Sequence, residues 1–310
     1  MRRPVILLLL SAIMLLTASG ASAQEVHWTD EKLVAHGLGA IDGHTYTNTL
    51  EAFETNYAQG FRVFEVDLQL TSDGYLVSRH DWQPYLYRMF EQEPPAEGLR
   101  GEPLSLEAVK SLTVHNAYHI LEFGELLKLI EQYPDVTFVT DTKDVDPAII
   151  EKQFRTIAAA AGHDAKLLHR IVPQVYNQQM YHQIDAIFPF DSYIYTLYES
   201  PDTEDEVLGF VRHYDRIDAI TLPESKANAG FLLRLKAASV KTYVHTINDT
   251  ALMTDYMRRG TYGFYTDKVN GEQLLATTPE PTSLSSLLSA GMLKIVIQPI
   301  LLPLLQWTYL

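Results

Sequence analysis

The 310-residue chain carries 39 acidic residues against 24 lysines and arginines, a formal charge of −15, and this excludes a polyanion such as nucleic acid as its partner. It has no cysteine, so neither disulfides nor a cysteine-linked lipid anchor contributes, and stability must come from a hydrophobic core. The length suits one large barrel or two small domains, and no linker in the middle favours two.

The chain begins MRRPVILLLLSAIMLLTASGASAQ: a short basic start at Arg2 and Arg3, an apolar core and a small-residue ending, Ala21-Ser22-Ala23. It reads as a secretory signal peptide, residues 1–23, so the mature protein is expected to be secreted or periplasmic; an uncleaved membrane anchor is the alternative. Residues 24–276 are expected to form the folded domain. The apolar run Lys32 to His36 reads as a buried strand that delivers His36 to a loop opened by Gly37 and Gly39. A helix follows, with Asn48 and Glu51 spaced as a capping box, Leu50, Phe53 and Tyr57 at helical spacing, and Gly60 as its stop.

FRVFEVDLQL, rich in β-branched and aromatic residues, reads as the next strand. Alternate residues share a face, so Glu65 and Asp67 point the same way together with Val63. Two acids on a mostly apolar face repel unless a cation lies between them, which makes a bound metal the economical explanation. TSDG and then YLVSRHDW bring a further strand ending at His80. The connection is too short for a helical crossover; the two strands either form a hairpin about Asp73-Gly74, with Asp67 opposite His80, or run parallel with the helix missing.

Residues Trp82 to Leu104 lose periodicity and gather prolines and glycines, as expected of a loop over a site. Beyond them helix and strand alternate: LEFGELLKLIEQY and VTFVTDTK, a helix from Pro147 capped by Asp146 and RIVPQ, NQQMYHQIDAIF and SYIYTL, DEVLGFVRHY and DAITL, AGFLLRLKAAS and VKTYVHTI, DTALMTDYMRR and GFYTD. Such alternation implies an α/β fold with a parallel sheet closed into a (β/α)8 TIM barrel, irregular around its second and third strands. About nine strand candidates compete for the roughly eight places, so one is accessory. Residues 277–310 form a Pro- and Ser-rich linker and an apolar tail, MLKIVIQPILLPLLQWTYL. Its lysine, glutamines and prolines weigh against a transmembrane span and favour packing on the barrel or contact with a membrane surface.

A strand-end histidine, N-T before a helix, E-x-D, T-x-D-G, H-D, an acid-x-Lys on a later strand and a last strand ending in T-D occur in that order from His36 to Asp267. The order resembles the glycerophosphodiester phosphodiesterase family of the phospholipase C-like barrels. The resemblance implies a site at the C-terminal ends of the strands and a divalent cation, calcium or magnesium, held by Glu65, Asp67 and Asp141. It matches His36 and His80 to the family's acid and base and Lys143 to its phosphate-contacting lysine. Asn48, Arg79 and His245 are further candidates for substrate contact. Gly37 stands where the family usually has arginine, Asp141 where many members have glutamate, and His245 where tryptophan is common. Oxygen-only ligands suit hard cations, and two histidines titrating near neutrality suit proton transfer at a phosphodiester.

The function so implied is metal-dependent hydrolysis of a small-molecule or lipid phosphodiester. The alternatives are a phospholipase D- or sphingomyelinase D-like enzyme that leaves a cyclic phosphate, and a non-catalytic barrel that binds a phosphosugar or envelope polymer. Nothing in the sequence implies a protein partner. Tyr195 and Tyr243 are further residues able to line the site, and the remaining tyrosines are expected in the core and at the barrel rim.

Overall fold

The computed structural model describes residues 27–162 and 164–277. The leader, with its cleavage site, and the tail beyond Thr277 lie outside the described residues. In chain order the strands are β1 (Leu33–Ala35), β2 (Val63–Leu70), β3 (Leu76–Ser78), β4 (Thr113–Val114), β5 (Tyr118–His119), β6 (Thr137–Asp141), β7 (Ile171–Val175), β8 (Tyr193–Thr196), β9 (Ile217–Pro223), β10 (Lys241–His245) and β11 (Gly263–Thr266). Eight of them run parallel in the order β1-β11-β10-β9-β8-β7-β6-β2, and the pairing of β1 with β2 closes the ring. The expected (β/α)8 barrel is therefore present. The accessory ninth candidate is β3, which pairs antiparallel with β2.

Each barrel strand sends one side chain into a shared inner layer: Val34, Val63, Val139, Val172, Ile194, Ala219, Tyr243 and Tyr265. This is a filled barrel floor rather than a pore. Trp28 closes it from the N-terminal end, stacked on Tyr243 with ring centroids 5.9 Å apart and its indole N–H donated to Ser192 Oγ at 2.8 Å. Above that layer the two-residue strand period decides what comes next. On β2 the inward positions after Val63 are Glu65 and Asp67; on β6 the one after Val139 is Asp141, and the ladder pairs Asp67 with Asp141. The apolar floor thus lifts three acids toward the C-terminal mouth. The outward residues Phe64, Val66 and Phe138 pack beneath the helices, with Phe53 of the helix Leu50–Ala58 centred 4.8 Å from Phe64.

The β2–β3 connection is the hairpin. Its register pairs Leu70 with Leu76 and Leu68 with Ser78, so the five-residue loop is centred on Asp73 alone. An odd loop moves the pairing by one position: Arg79 donates its backbone N–H to Asp67 O at 3.0 Å, and Asp67 stands opposite Arg79, not His80.

The stretch after Trp82 is also not the loop expected. It contains the helix Pro84–Met89 and a 3₁₀ turn at Glu97–Leu99, and continues into the helix Leu106–Lys110 and the short β4–β5 hairpin. Val77, Trp82, Leu86, Phe90, Val109, Val114 and Ile120 form a core of their own there. No residue between Trp82 and Leu104 lines the central cavity, so this insertion flanks the site instead of covering it. Among the described residues no helix is long and apolar enough to cross a membrane.

The loop after β1 depends on close packing. Gly39 has φ +89°, and a Cβ there would lie 2.3 Å from Asn56 Cγ. Asn56 is buried and donates to the carbonyls of Leu38, Ala40 and Ala52, tying this loop to the helix Leu50–Ala58. Gly39→Ala is expected to cost about 3 kcal/mol or more, from the strained φ and the displaced amide, read as a fall in the denaturation midpoint.

Candidate active site

A cavity of about 350 Å³ opens at the C-terminal ends of the strands, where active sites of such barrels sit. His36, Glu65, His80, Asp141, Lys143 and His245 line it, together with Tyr46, Gln174, Tyr176, Thr196, Tyr198, Glu199, Thr221, Thr246 and Tyr265. One oxygen from each of Glu65, Asp67 and Asp141 lies within 4.8 Å of the others, and all three residues are buried. Lys143 Nζ is 2.9 Å from Asp67 Oδ1 and 2.6 Å from Asp141 Oδ2. Lys143 itself lies beyond the end of β6 at φ +59°, so its ammonium reaches back to the carboxylates from a loop.

Three buried acids beside one ammonium cannot all ionise at ordinary cost. Burial, and then the negative charge of Asp67, pushes the Glu65 carboxyl up. For Asp67 burial also acts upward, but the charges of Lys143, His80 and His36 outweigh it and hold the carboxyl down. Asp67 Oδ1 is fully buried, and its one close partner is the Lys143 ammonium at 2.9 Å. An oxygen-only cluster of three buried acids, with a single ammonium to balance them, fits a hard divalent cation.

The other supports come from neighbouring loops. Gly37, at φ +54°, donates its N–H to Glu65 Oε2 at 2.7 Å. A Cβ at that position would come within 3.2 Å of Tyr46 Cα, so this glycine lets the two loops close on each other. Asn48 is buried; it donates Nδ2–H to Asp67 Oδ2 at 2.8 Å, and its Oδ1 accepts the Asp67 N–H at 3.0 Å. It braces a carboxylate and makes no helix cap: the N-cap position belongs to Thr49, and Glu51 is engaged with His119. The expected capping box is therefore not formed.

Each histidine is held from behind by an acid. His36 Nδ1 lies 2.9 Å from Asp267 Oδ1, and Asp267 Oδ2 accepts from Asn248 at 2.6 Å. His80 Nδ1 lies 2.8 Å from Asp81 Oδ2, which also accepts from the Tyr85 hydroxyl. A carboxylate can only accept, so Nδ1 carries the proton in both rings and Nε2 is left for the cavity. Among the described residues neither Nε2 makes a hydrogen bond. Burial acts to lower the His36 pKa, yet the bond to Asp267 and the charges of Glu65, Asp267 and Asp67 raise it overall. The Tyr46 ring packs edge-on against both imidazoles, with centroids 4.7 Å from His36 and 5.7 Å from His80.

Arg79 does not join this group. It is 1% exposed, with its guanidinium over the Tyr87 ring at 4.5 Å and its donors on Asp81 O and Gln92 Oε1. It anchors the insertion to the turn that carries His80. Tyr195 and Tyr243 also lie away from the cavity: Tyr195 points outward to Ser200 and Asp202, and Tyr243 belongs to the barrel floor, donating to Glu31 O. The tyrosines that line the cavity are Tyr46, Tyr176, Tyr198 and Tyr265, and Tyr176 donates its hydroxyl to Asp141.

The model of the Glycerophosphoryl diester phosphodiesterase family matches residues 39–270. Among solved structures, an Oleispira antarctica phosphodiesterase in complex with the product sn-glycerol-3-phosphate is 18% identical over 79% of this chain and 96% of that one, with a TM-score of 0.62. A glycerophosphodiester phosphodiesterase from Parabacteroides distasonis is 17% identical over 79% of this chain and 95% of that one, with a TM-score of 0.62. One from Thermotoga maritima is 20% identical over 79% of this chain and 96% of that one, with a TM-score of 0.56. No curated protein matches the chain in sequence. The structural likenesses establish the shared barrel, and the family match spans well over half of the chain. The chain belongs to the glycerophosphoryl diester phosphodiesterase family and is a phosphoric diester hydrolase on a (β/α)8 barrel.

Proposed function

We propose that the chain hydrolyses a glycerophosphodiester with His36 and His80 as the acid and base and a divalent cation, calcium or magnesium, on Glu65, Asp67 and Asp141. The observation that carries this reading is the pairing of two carboxylate-backed histidines with a buried three-acid cluster in one cavity. When bound, the cation supplies charge stabilisation at the phosphoryl oxygens. Lys143 adds a second positive charge beside the same carboxylates. One histidine takes the proton of the attacking hydroxyl at Nε2, and the other returns a proton to the departing alkoxide. Asp267 and Asp81 keep each ring in the tautomer that permits this.

The attacking hydroxyl is either water or the glycerol hydroxyl next to the phosphate, which would give a cyclic phosphate for water to open. The Oleispira relative's bound product, sn-glycerol-3-phosphate, supports a glycerol arm. Incubating the protein with a panel of glycerophosphodiesters and calcium or magnesium should release alcohol and phosphomonoester, with release stopped by a chelator. Accumulation of a cyclic phosphate as the end product would instead select the phospholipase D-like reading. We further propose that the chain is exported, with cleavage after Ala23, and that its apolar tail contacts a membrane surface. N-terminal sequencing of the exported protein should begin at Gln24, and flotation with vesicles should depend on residues 277–310.

A further inference from the structure

The catalytic and metal side chains all come from one half of the barrel. His36 follows β1, Glu65 and Asp67 lie on β2, and Asp141 and Lys143 lie at and beyond the end of β6. The strand order puts β8, β9 and β10 across the barrel from β1, β2 and β6. A phosphodiester has two ester arms, so a phosphoryl group held against the acids and Lys143 must send one arm toward that far wall. The far wall carries Tyr198 and Glu199 after β8, Thr221 on β9, and His245 at the end of β10.

Its chemistry is uneven. Tyr198 is 59% exposed, and its ring stands edge-on to His245 with centroids 6.0 Å apart. Glu199 is exposed and, among the described residues, makes no hydrogen bond or ion pair, unlike the three acids opposite. His245 is pushed down to about 4, first by burial and then by the charge of His36, so it brings no positive charge at neutral pH. The Lys226 ammonium nearby is engaged by the carbonyls of Leu197 and Ser200 and makes no ion pair with Glu199, so an open aromatic face beside an unpaired carboxylate remains as a receptor for an organic cation.

We propose that Tyr198 and Glu199 select phosphodiesters whose alcohol arm ends in an ammonium group, as in choline or ethanolamine esters. This rests on the phosphodiesterase reading above. A neutral polyol arm leaves Glu199 without a counter-charge, and an arm that ends in a carboxylate or phosphate is repelled by it. Both side chains are exposed, so replacing them does not disturb the core.

The test is kcat/KM of the magnesium- or calcium-loaded protein for glycerophosphocholine, for its uncharged isostere the 3,3-dimethylbutyl ester, and for glycerophosphoglycerol. The wild type should favour the choline ester over the isostere by about tenfold. In Glu199→Gln that ratio should fall to about twofold or less, in Tyr198→Ala it should fall in part, and Glu199→Asp should keep most of it. Turnover of all three esters without discrimination, or a ratio unchanged by Glu199→Gln, overturns the proposal and leaves the phosphodiesterase reading intact. Failure of every ester to react overturns both.

Discussion

Replacing His36 or His80 with alanine is expected to lower kcat on a glycerophosphodiester by about 10²- to 10⁴-fold, the usual contribution of a placed acid or base. The fold should survive, because neither ring belongs to the hydrophobic clusters that hold the barrel together. Circular dichroism and the melting temperature are the controls. The geometry makes a sharper prediction for Asp267. Its carboxylate fixes the proton of His36 on Nδ1, and an amide there can present a donor instead, favouring the opposite tautomer. Asp267→Asn should therefore lose a large part of the rate while leaving His36 in place. If it kept the wild-type rate, the carboxylate would have no part in orienting His36.

The second large effect concerns the acid cluster. Glu65→Ala removes one of three buried oxygen donors and is expected to abolish measurable calcium or magnesium binding in calorimetry along with turnover. Unchanged cation binding in that variant would refute the ligand assignment. Thermal stability gives an independent readout. A cation that binds only the folded state adds about 2.7 kcal/mol at a concentration 100 times its dissociation constant, so the melting temperature should rise with added cation in the wild type and not in the variant. The pH dependence has a definite sign. Glu65 has a raised pKa in the folded state, so it leaves stability intact below its ordinary value near 4.5, and that stability is lost as pH rises through the higher folded-state value. In chelator the loss should appear on the alkaline side and be relieved when a cation is supplied.

Much of this was legible in the sequence because strand alternation is a local rule. Val63, Glu65 and Asp67 sit two residues apart, and knowing that they form a strand is enough to put them on one face; the barrel makes that face the interior. The helix-strand alternation after Leu121 reports the barrel for the same reason. What the sequence did not disclose depends on contacts between distant segments. Asp267 meets His36 across 231 positions, and Asp81 gave its role away only as the neighbour of His80. Asn48 carries the generic signal of a cap, yet at φ +52° its amide reaches Asp67. Arg79, a candidate for substrate contact, instead places its guanidinium among Trp82, Tyr87, Phe90 and Gln92 of the insertion, contacts that no local pattern announces. The tyrosines divide by layer as well as by face: Tyr243 points inward but lies in the floor, whereas Tyr198 stands beyond the end of its strand and meets the cavity.

The most direct test of the acid, base and cation acting as one phosphodiesterase site is a phosphorus NMR time course of the purified protein with glycerophosphocholine. With magnesium or calcium present near neutral pH, the diester resonance should be replaced by that of a phosphomonoester, and a chelator should halt the conversion. Persistence of the diester with either cation across pH 6 to 9 would contradict the account.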